Sequence, residues 1–296
     1  MPVSETIGST KALPASSHGK PVDTFAQAAE LERELRRTVR GEVRFDSGSR
    51  ALYATDASNY RQVPIGVVVP RDENDVRAAV TACRAFKAPL LARGAGTSLA
   101  GQSCNVAVVL DFTKYMNGIL EVNPDNRTAR VQPGVVLDTL RARAEEHRLT
   151  FGPDPSTHSR CSLGGMIGNN SCGTHSLIAG KTVDNVHELT VLLYDGTELT
   201  VGATSDHELE EIIRAGGRRG QIYAALRSIR DRYAPQIRSK FPQIPRRVSG
   251  YNLDHLLPEN GFNVARALVG SEGTCAIVLG ATLRLIDSPP HRTLVG

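Results

Sequence analysis

Hairpins interleaved with helices, a lone β-α-β unit and a glycine-rich loop that leads into a strand together predict an α+β fold. IGVVVP (65–70) is a β-branched run stopped by proline. DENDVRAAVTACRAFK (72–87) opens on acidic residues and sets Val76, Val80 and Cys83 on one helical face. PLLA (89–92) is the next strand, and RGAGTSLAGQ (93–102) follows at once. A doubly wound sheet would go on alternating strand and helix, and this chain does not.

The other elements follow from the same rules. TFAQAAELERELRRTV (24–39) has the spacing of an amphipathic helix, and NVAVVLDF (105–112) has a strand composition. GILEVNPDNRTARVQPGV (118–135) reads as a hairpin turning at Pro124-Asp125-Asn126. VLDTLRARAEEH (136–147) is helical. NVHELTVLLYDGTELTV (185–201) is a second hairpin, with Asp195-Gly196 expected to supply the positive φ angles of its turn. Residues 205–237 read as two helices parted near Gly216-Gly217, and CAIVLGATLRLI (275–286) as a final strand or strand pair.

Glycine is concentrated in two places. Glycine clusters let backbone N–H groups approach a ligand, and phosphate is the usual reason. Gly94 and Gly96 begin a dinucleotide fingerprint, but its sixth position is Leu99 and the loop opens into a strand, so a Rossmann site is excluded. SLGGMIGNNSCGTHSLIAGKT (162–182) is the second cluster. Ser162 there is expected to cap a short helix whose first N–H groups, beside Gly164 and Gly165, point outward to anionic oxygen. Two such loops suggest a long ligand held in more than one place.

Other signatures fail on counting. Gly180-Lys181-Thr182 ends like a Walker A loop, but the earlier glycine falls on His175, which leaves a nucleotide hydrolase little support. His187-Glu188 lacks the second histidine of a zincin, and no G-x-S-x-G elbow exists. Thirty-five basic and 31 acidic residues give a formal charge of +4. The pairs Arg36-Arg37 and Arg218-Arg219 have no interleaved aromatics, so nucleic acid is not an expected partner. Five cysteines without a C-x-x-C pair fit free thiols in a reducing compartment. Residues 1–22 read as a flexible leader without a signal-peptide core.

In order, the chain carries R-G-A-G-T-S-x-x-G (93–101), Q-P-G (132–134), G-P-D-P-S (152–156), C-S-L-G-G-M-I-G-N-N-S-x-G (161–173) and G-S-E-G-T (270–274). This joint pattern resembles the FAD-binding domain of the vanillyl-alcohol oxidase / PCMH family. Within it, the chain is similar to the FAD-linked D-2-hydroxyacid dehydrogenases of the D-lactate and D-2-hydroxyglutarate type, notably large members with a C-terminal iron–sulfur region. The resemblance spans residues 45–290 and implies a PCMH-type fold of two α/β subdomains clasping FAD, with the cap domain beyond this chain.

The resemblance also implies roles. Arg93, Gly94, Ala95, Gly96, Thr97 and Ser98 would wrap the FAD pyrophosphate, with Gln102, Pro133 and Gly134 alongside. Asp154, Pro155 and Ser156 would approach the flavin end. Ser162, Gly164, Gly165, Asn169, Asn170 and Gly173 would line the ribityl and isoalloxazine portion. Val186, Glu272, Gly273 and Ile277 match positions near the adenosine and the flavin. Thr97 stands where many relatives attach FAD through histidine, which implies non-covalent FAD; Ala179-Gly180 departs from a frequent Tyr-Gly.

Arg246, Arg247 and Tyr251 are substrate candidates, because arginine suits a carboxylate. The activity implied is oxidation of a D-2-hydroxy acid by hydride transfer to FAD, with the proton acceptor and an iron–sulfur or partner-chain electron acceptor beyond residue 296. The alternative is a catalytically silent FAD-binding module. The expected organisation is a leader (1–22), a helical extension (23–60), the FAD-binding domain (61–286, subdomains 61–134 and 135–286) and a linker start (287–296). A cytoplasmic place is expected, with peripheral membrane attachment as the variant.

Overall fold

A computed structural model describes residues 25–290. Two sheets form its frame. The first contains β1 (Glu42–Arg44), β2 (Gly66–Val69), β3 (Leu90–Arg93) and β4 (Val108–Asp111) in the order β1-β2-β4-β3. β2, β4 and β3 are parallel, and β1 is antiparallel to β2. β2 (GVVV) and β4 (VVLD) are buried at every position, which explains their continuous apolar runs.

The second sheet draws on β5 (Ile119–Asn123) and β6 (Thr128–Val131). After the short β7 (Leu149–Thr150) come β8 (Val186–Leu192), β9 (Glu198–Val201) and β10 (Ile277–Arg284), and β11 (Ile286–Asp287) ends the series. The second sheet is antiparallel in the order β5-β6-β10-β8-β9, while β11 pairs with β7 apart from it.

The helices are α1 (Ala28–Thr38), α2 (Ser47–Leu52), α3 (Glu73–Ala85), α4 (Leu137–Glu145), α5 (Leu163–Asn169), α6 (Ser176–Ala179), α7 (Asp206–Ala215), α8 (Gly217–Lys240) and α9 (Val264–Leu268). Asp72 caps α3 by accepting from the N–H groups of Asn74 and Asp75 at 3.0 and 3.2 Å, and Val76, Ala79, Val80 and Cys83 form its buried face. α7 and α8 part at Gly216 and Gly217, whose φ angles of +70° and +64° no side-chain-bearing residue adopts without cost.

Four sequence expectations need amending. The span 23–60 is not helical throughout, since Glu42–Arg44 is the edge strand of the first sheet. The sheets change over between β4 and β5, so the hairpin before residue 134 belongs with the second sheet. In the second hairpin turn only Gly196 has positive φ (+89°); Asp195 instead accepts from the Thr197 N–H at 2.9 Å. Regular structure runs past 286, because Asp287 lies in β11 and the Ser288 N–H donates to the Arg148 carbonyl. The leader (1–22) lies outside the described residues.

The core is shared across the two sheets. Leu192, Ile277 and Leu279 of the second sheet pack in one buried cluster with Val68, Val80 and Leu110 of the first unit. Leu31 and Leu35 of α1 complete that cluster with no exposed surface. Burying each contributes about 1.5–3 kcal/mol. The junction of the sheets is therefore a packed wall, and the loops leaving β3, α5 and the segment before β10 meet beside it.

Candidate functional site

A cavity of about 340 Å³ opens where those loops meet. Its first wall is the loop after β3. Among the described residues, no protein acceptor takes the backbone N–H groups of Gly94 to Leu99. The loop is held from behind: the Gly96 carbonyl accepts from the Ala57 N–H at 3.0 Å, and Gly96 has φ +68°. A run of unpaired, pinned donors is a nest for an anion, each bond contributing about 1.5–3 kcal/mol.

Arg93 pins the loop and does not reach into the cavity as a free cation. Its guanidinium donates to the carbonyls of Tyr53 (3.1 Å), Thr55 (2.8 Å) and Ser103 (2.7 Å), and lies over the Tyr53 ring. A Cβ on Gly96 would stand 2.6 Å from this guanidinium. Glycine at 96 thus satisfies both the φ angle and the close approach.

The opposite wall is α5. Ser162 caps it, as the sequence predicts, by accepting from the Gly165 N–H at 3.3 Å. The outward-pointing donors expected there are absent. The Leu163 N–H donates to the Val135 carbonyl and the Gly164 N–H to the Pro133 carbonyl, each at 2.8 Å. An isolated short helix would leave these groups free, but the 133–135 segment crosses its N-terminus and consumes them. The anion donors lie in the first glycine loop. The second cluster provides close packing: a Cβ on Gly94 would sit 1.9 Å from Ser162 Oγ, and one on Gly164 would sit 2.7 Å from the Pro133 Cβ.

A third wall, Ser271 to Gly273, faces the loop. Gln102 Oε1 accepts from the Ala100 N–H, which turns its amide Nε2 toward Glu272 Oε1 at 3.4 Å. Burial raises the Glu272 carboxyl pKa and the Gln102 amide pulls it back. Glu272 has φ +52° and is fixed by its N–H bond to the Gly168 carbonyl at 2.9 Å. Such backbone strain in a non-glycine residue persists only where its surroundings hold it.

Of the anticipated residues, Arg93 to Ser98, Gln102, Pro133, Pro155, Ser156, Ser162, Gly164, Gly165, Asn169, Glu272 and Gly273 line this one cavity. Others stand behind it. Gly134 lies against the Phe112 carbonyl, which a Cβ would approach to 2.1 Å. Asn170 is fully buried in the left-handed region, and its Oδ1 accepts from the Val183 N–H. Gly173 abuts the Asp154 backbone. Val186 and Ile277 are buried strand residues. Asp154 turns to His175.

The substrate candidates do not converge on the cavity either. Arg247 is ion-paired with Asp254 at 2.6 Å and lies over the Phe241 ring, and the Tyr251 hydroxyl bonds Thr274 Oγ1. Arg246 is exposed. Sequence reasoning missed the apolar lining, Phe112, Met166, Ile167, Val191, Leu268 and Val278, because strands and two helices distant in sequence contribute it and its pattern reads as ordinary core.

The residues fit a cofactor with a diphosphate and a broad apolar ring system: an anion nest at one wall, a buried apolar surface at the others, and glycines where a Cβ would obstruct.

Comparison with known proteins agrees with that chemistry. Residues 64–202 match a family described as an FAD binding domain. The chain is 38% identical over 260 residues to a D-2-hydroxyglutarate dehydrogenase of Pseudomonas putida, an alignment covering 86% of this chain and 26% of that protein. It is 34% identical to a glycolate oxidase subunit of Bacillus subtilis, covering 85% of this chain and 44% of that one. The chain thus spans about a quarter of the length of the D-2-hydroxyglutarate dehydrogenase relative. A solved alkyldihydroxyacetonephosphate synthase shares the fold, with a TM-score of 0.63 at 19% identity over 92% of this chain and 43% of that one. The anion nest lies inside the matched segment, so residues 64–202 of this chain form an FAD-binding domain and FAD is its cofactor.

Proposed function

We propose that this chain is the cofactor-binding part of a flavin oxidoreductase that oxidises a D-2-hydroxy acid, of the lactate or 2-hydroxyglutarate class, to the 2-oxo acid. The observation that carries the reading is the cavity itself, with unpaired N–H donors from Gly94 to Leu99 facing a buried apolar wall. The activities named for the relatives point to hydroxy acids. When bound, FAD supplies the acceptor for the hydride removed from the substrate carbon.

The protein holds and orients. The Gly94–Leu99 amides would bind the pyrophosphate, while Met166, Ile167 and Val191 would exclude water from the ring system. Thr97 offers a hydroxyl and no nucleophilic ring nitrogen, which supports non-covalent attachment. Arg246, Arg247 and Tyr251, which do not line the cavity, would contact substrate only from outside it. Electrons would leave to an iron–sulfur region or a partner chain. Cytoplasmic placement, with or without peripheral membrane attachment, belongs to this proposal; among the described residues no helix is long and apolar enough to cross a membrane.

One observation favours the alternative, an FAD-binding module silent without further residues. Among the described residues, the cavity lining contains one cationic side chain, Arg93, and it is committed to three carbonyls. A substrate carboxylate finds no free cation there.

The test is the visible spectrum of the purified protein before and after denaturing precipitation. Flavin bands that move to the supernatant support non-covalent FAD, and anaerobic bleaching by a D- but not an L-2-hydroxy acid supports the oxidoreductase. A colourless protein that cannot be reconstituted overturns the first. A yellow protein that no hydroxy acid bleaches favours the silent module.

A further inference from the structure

A second cavity lies at the other end of β10, and its lining shares no residue with the first. Val278 of β10 lines the cofactor cavity, while Arg284, about 20 Å further along that strand, lines the second. Arg127, in the turn between β5 and β6, and His187 of β8 flank Arg284, because β10 lies between β6 and β8. Leu285 and Ile286 add an apolar wall.

Local structure aims these side chains. Thr282 of β10 stands opposite Glu188 and Leu283 opposite Val186, so His187 is the extra residue of a β-bulge. A bulge re-aims a side chain that regular pairing would direct elsewhere. Arg127 has φ +52°, a conformation held by the Leu285 N–H, which donates to its carbonyl at 2.7 Å. Charge in the lining is unbalanced. Its one carboxylate, Asp287, lies 3.2 Å from Arg127 Nη1 in a pair exposed on both sides and therefore weak. Among the described residues, the Arg284 guanidinium and the His187 ring have no hydrogen-bond or ion-pair partner. Arg266, also near His187, is committed to the carbonyls of Val186 and Asp184. Burial, then Arg266 and Arg284, hold the His187 imidazole below its ordinary pKa.

We propose that this second cavity binds a phosphoryl dianion through Arg127, Arg284 and His187. Two guanidinium forks and one imidazole N–H approach from three adjacent segments of chain, which suits a group with three terminal oxygens better than the two oxygens of a carboxylate. The ligand's charge would balance the surplus that Asp287 leaves uncompensated, and Leu285 and Ile286 would lie against any organic part. The site is separate from the cofactor cavity and does not rest on the hydroxy-acid oxidation proposed above.

The experiment follows the His187 ring by NMR in protein supplied with FAD, so that the Gly94–Leu99 nest is filled. Inorganic phosphate or phenyl phosphate is titrated in at constant ionic strength, with chloride as the balance. A saturable shift is expected, together with a raised His187 pKa, because the dianion offsets the two arginines. Arg284→Gln should weaken binding by about tenfold or more. Asp287→Asn should tighten it, because the one carboxylate that repels the ligand and occupies Arg127 is gone. Arg218→Gln, which removes an arginine paired with Asp195 at the β8–β9 turn, should leave binding unchanged. Tighter binding of phenyl phosphate assigns the site to a phosphate monoester, and equal binding assigns it to free phosphate. No saturable shift at His187, an equal shift at the His147 and His158 rings, an Arg284→Gln protein that binds as wild type does, or weaker binding by Asp287→Asn overturns the inference. The readout is the His187 ring itself, so a protein that takes up no FAD overturns the cofactor reading and leaves this test intact.

Discussion

Replacing Gly94 by alanine tests whether the anion nest depends on its contact with α5. The new methyl would stand 1.9 Å from Ser162 Oγ and 3.1 Å from Ser162 Cβ. Real Cβ atoms essentially never approach within 3.0 Å, so loop and helix must part by roughly 1 Å, or the hydroxyl must rotate away. Rotation sacrifices the α5 cap at the Gly165 N–H, a loss of about 1 kcal/mol. Parting the walls is overpacking, which costs about 1–3 kcal/mol. Urea denaturation of apoprotein should therefore show Gly94→Ala destabilised by about 1–3 kcal/mol, whichever route relieves the clash. Flavin titration should show FAD binding at least roughly tenfold weaker, about 1.4 kcal/mol. Ser162→Ala removes the clashing oxygen, so the double variant should be more stable than the two single losses predict, with a coupling of about 1 kcal/mol or more. Additive losses, or a Gly94→Ala protein within about 0.5 kcal/mol of wild type with unchanged FAD affinity, would refute the reasoning.

Two further outcomes follow from pinned charges. Arg93→Leu strips donors from the carbonyls of Tyr53, Thr55 and Ser103, and should cost about 3 kcal/mol by urea unfolding and weaken FAD binding, because the loop loses its backing. Glu42 is held at a pKa of about 2, against an ordinary 4.5, by hydrogen bonds from Lys114, Tyr115 and Arg44. The stability it contributes is present above the unfolded value of 4.5 and is lost as pH falls through the folded value near 2. Comparing urea midpoints of wild type and Glu42→Gln, the gap should be full at pH 7 and shrink steadily below about pH 4.5; a gap that is constant with pH would contradict the assignment.

Much of the frame was legible because local signals and tertiary packing agree. β2, α3, β3 and β4 lie where proline, the Asp72 cap and the β-branched runs indicate, and the break between α7 and α8 falls on Gly216-Gly217. β1 and β7 were not legible. Each is two or three residues long and exists only through its partner, β2 for one and β11 for the other. The change of sheet before β5 was equally hidden, since a hairpin carries no mark of which sheet it will join.

The glycine loop after β3 had a sequence signature, because only residues without a Cβ tolerate φ +68° against a guanidinium. The source of its donors could be anticipated only in part. Ser162 announces a helix cap, but whether that helix keeps free N–H groups depends on the 133–135 segment crossing its end.

The sequence by itself determined the types of the longer elements, the two glycine clusters and the anionic chemistry of the ligand, since propensity, capping and backbone freedom act within a few residues. Tertiary structure alone decided which amides stay unpaired, which apolar strand residues face the cavity, and that Arg93 and Arg247 are committed to protein partners. Those outcomes depend on groups far apart in the chain competing for the same hydrogen bonds, and no local pattern records which partner wins.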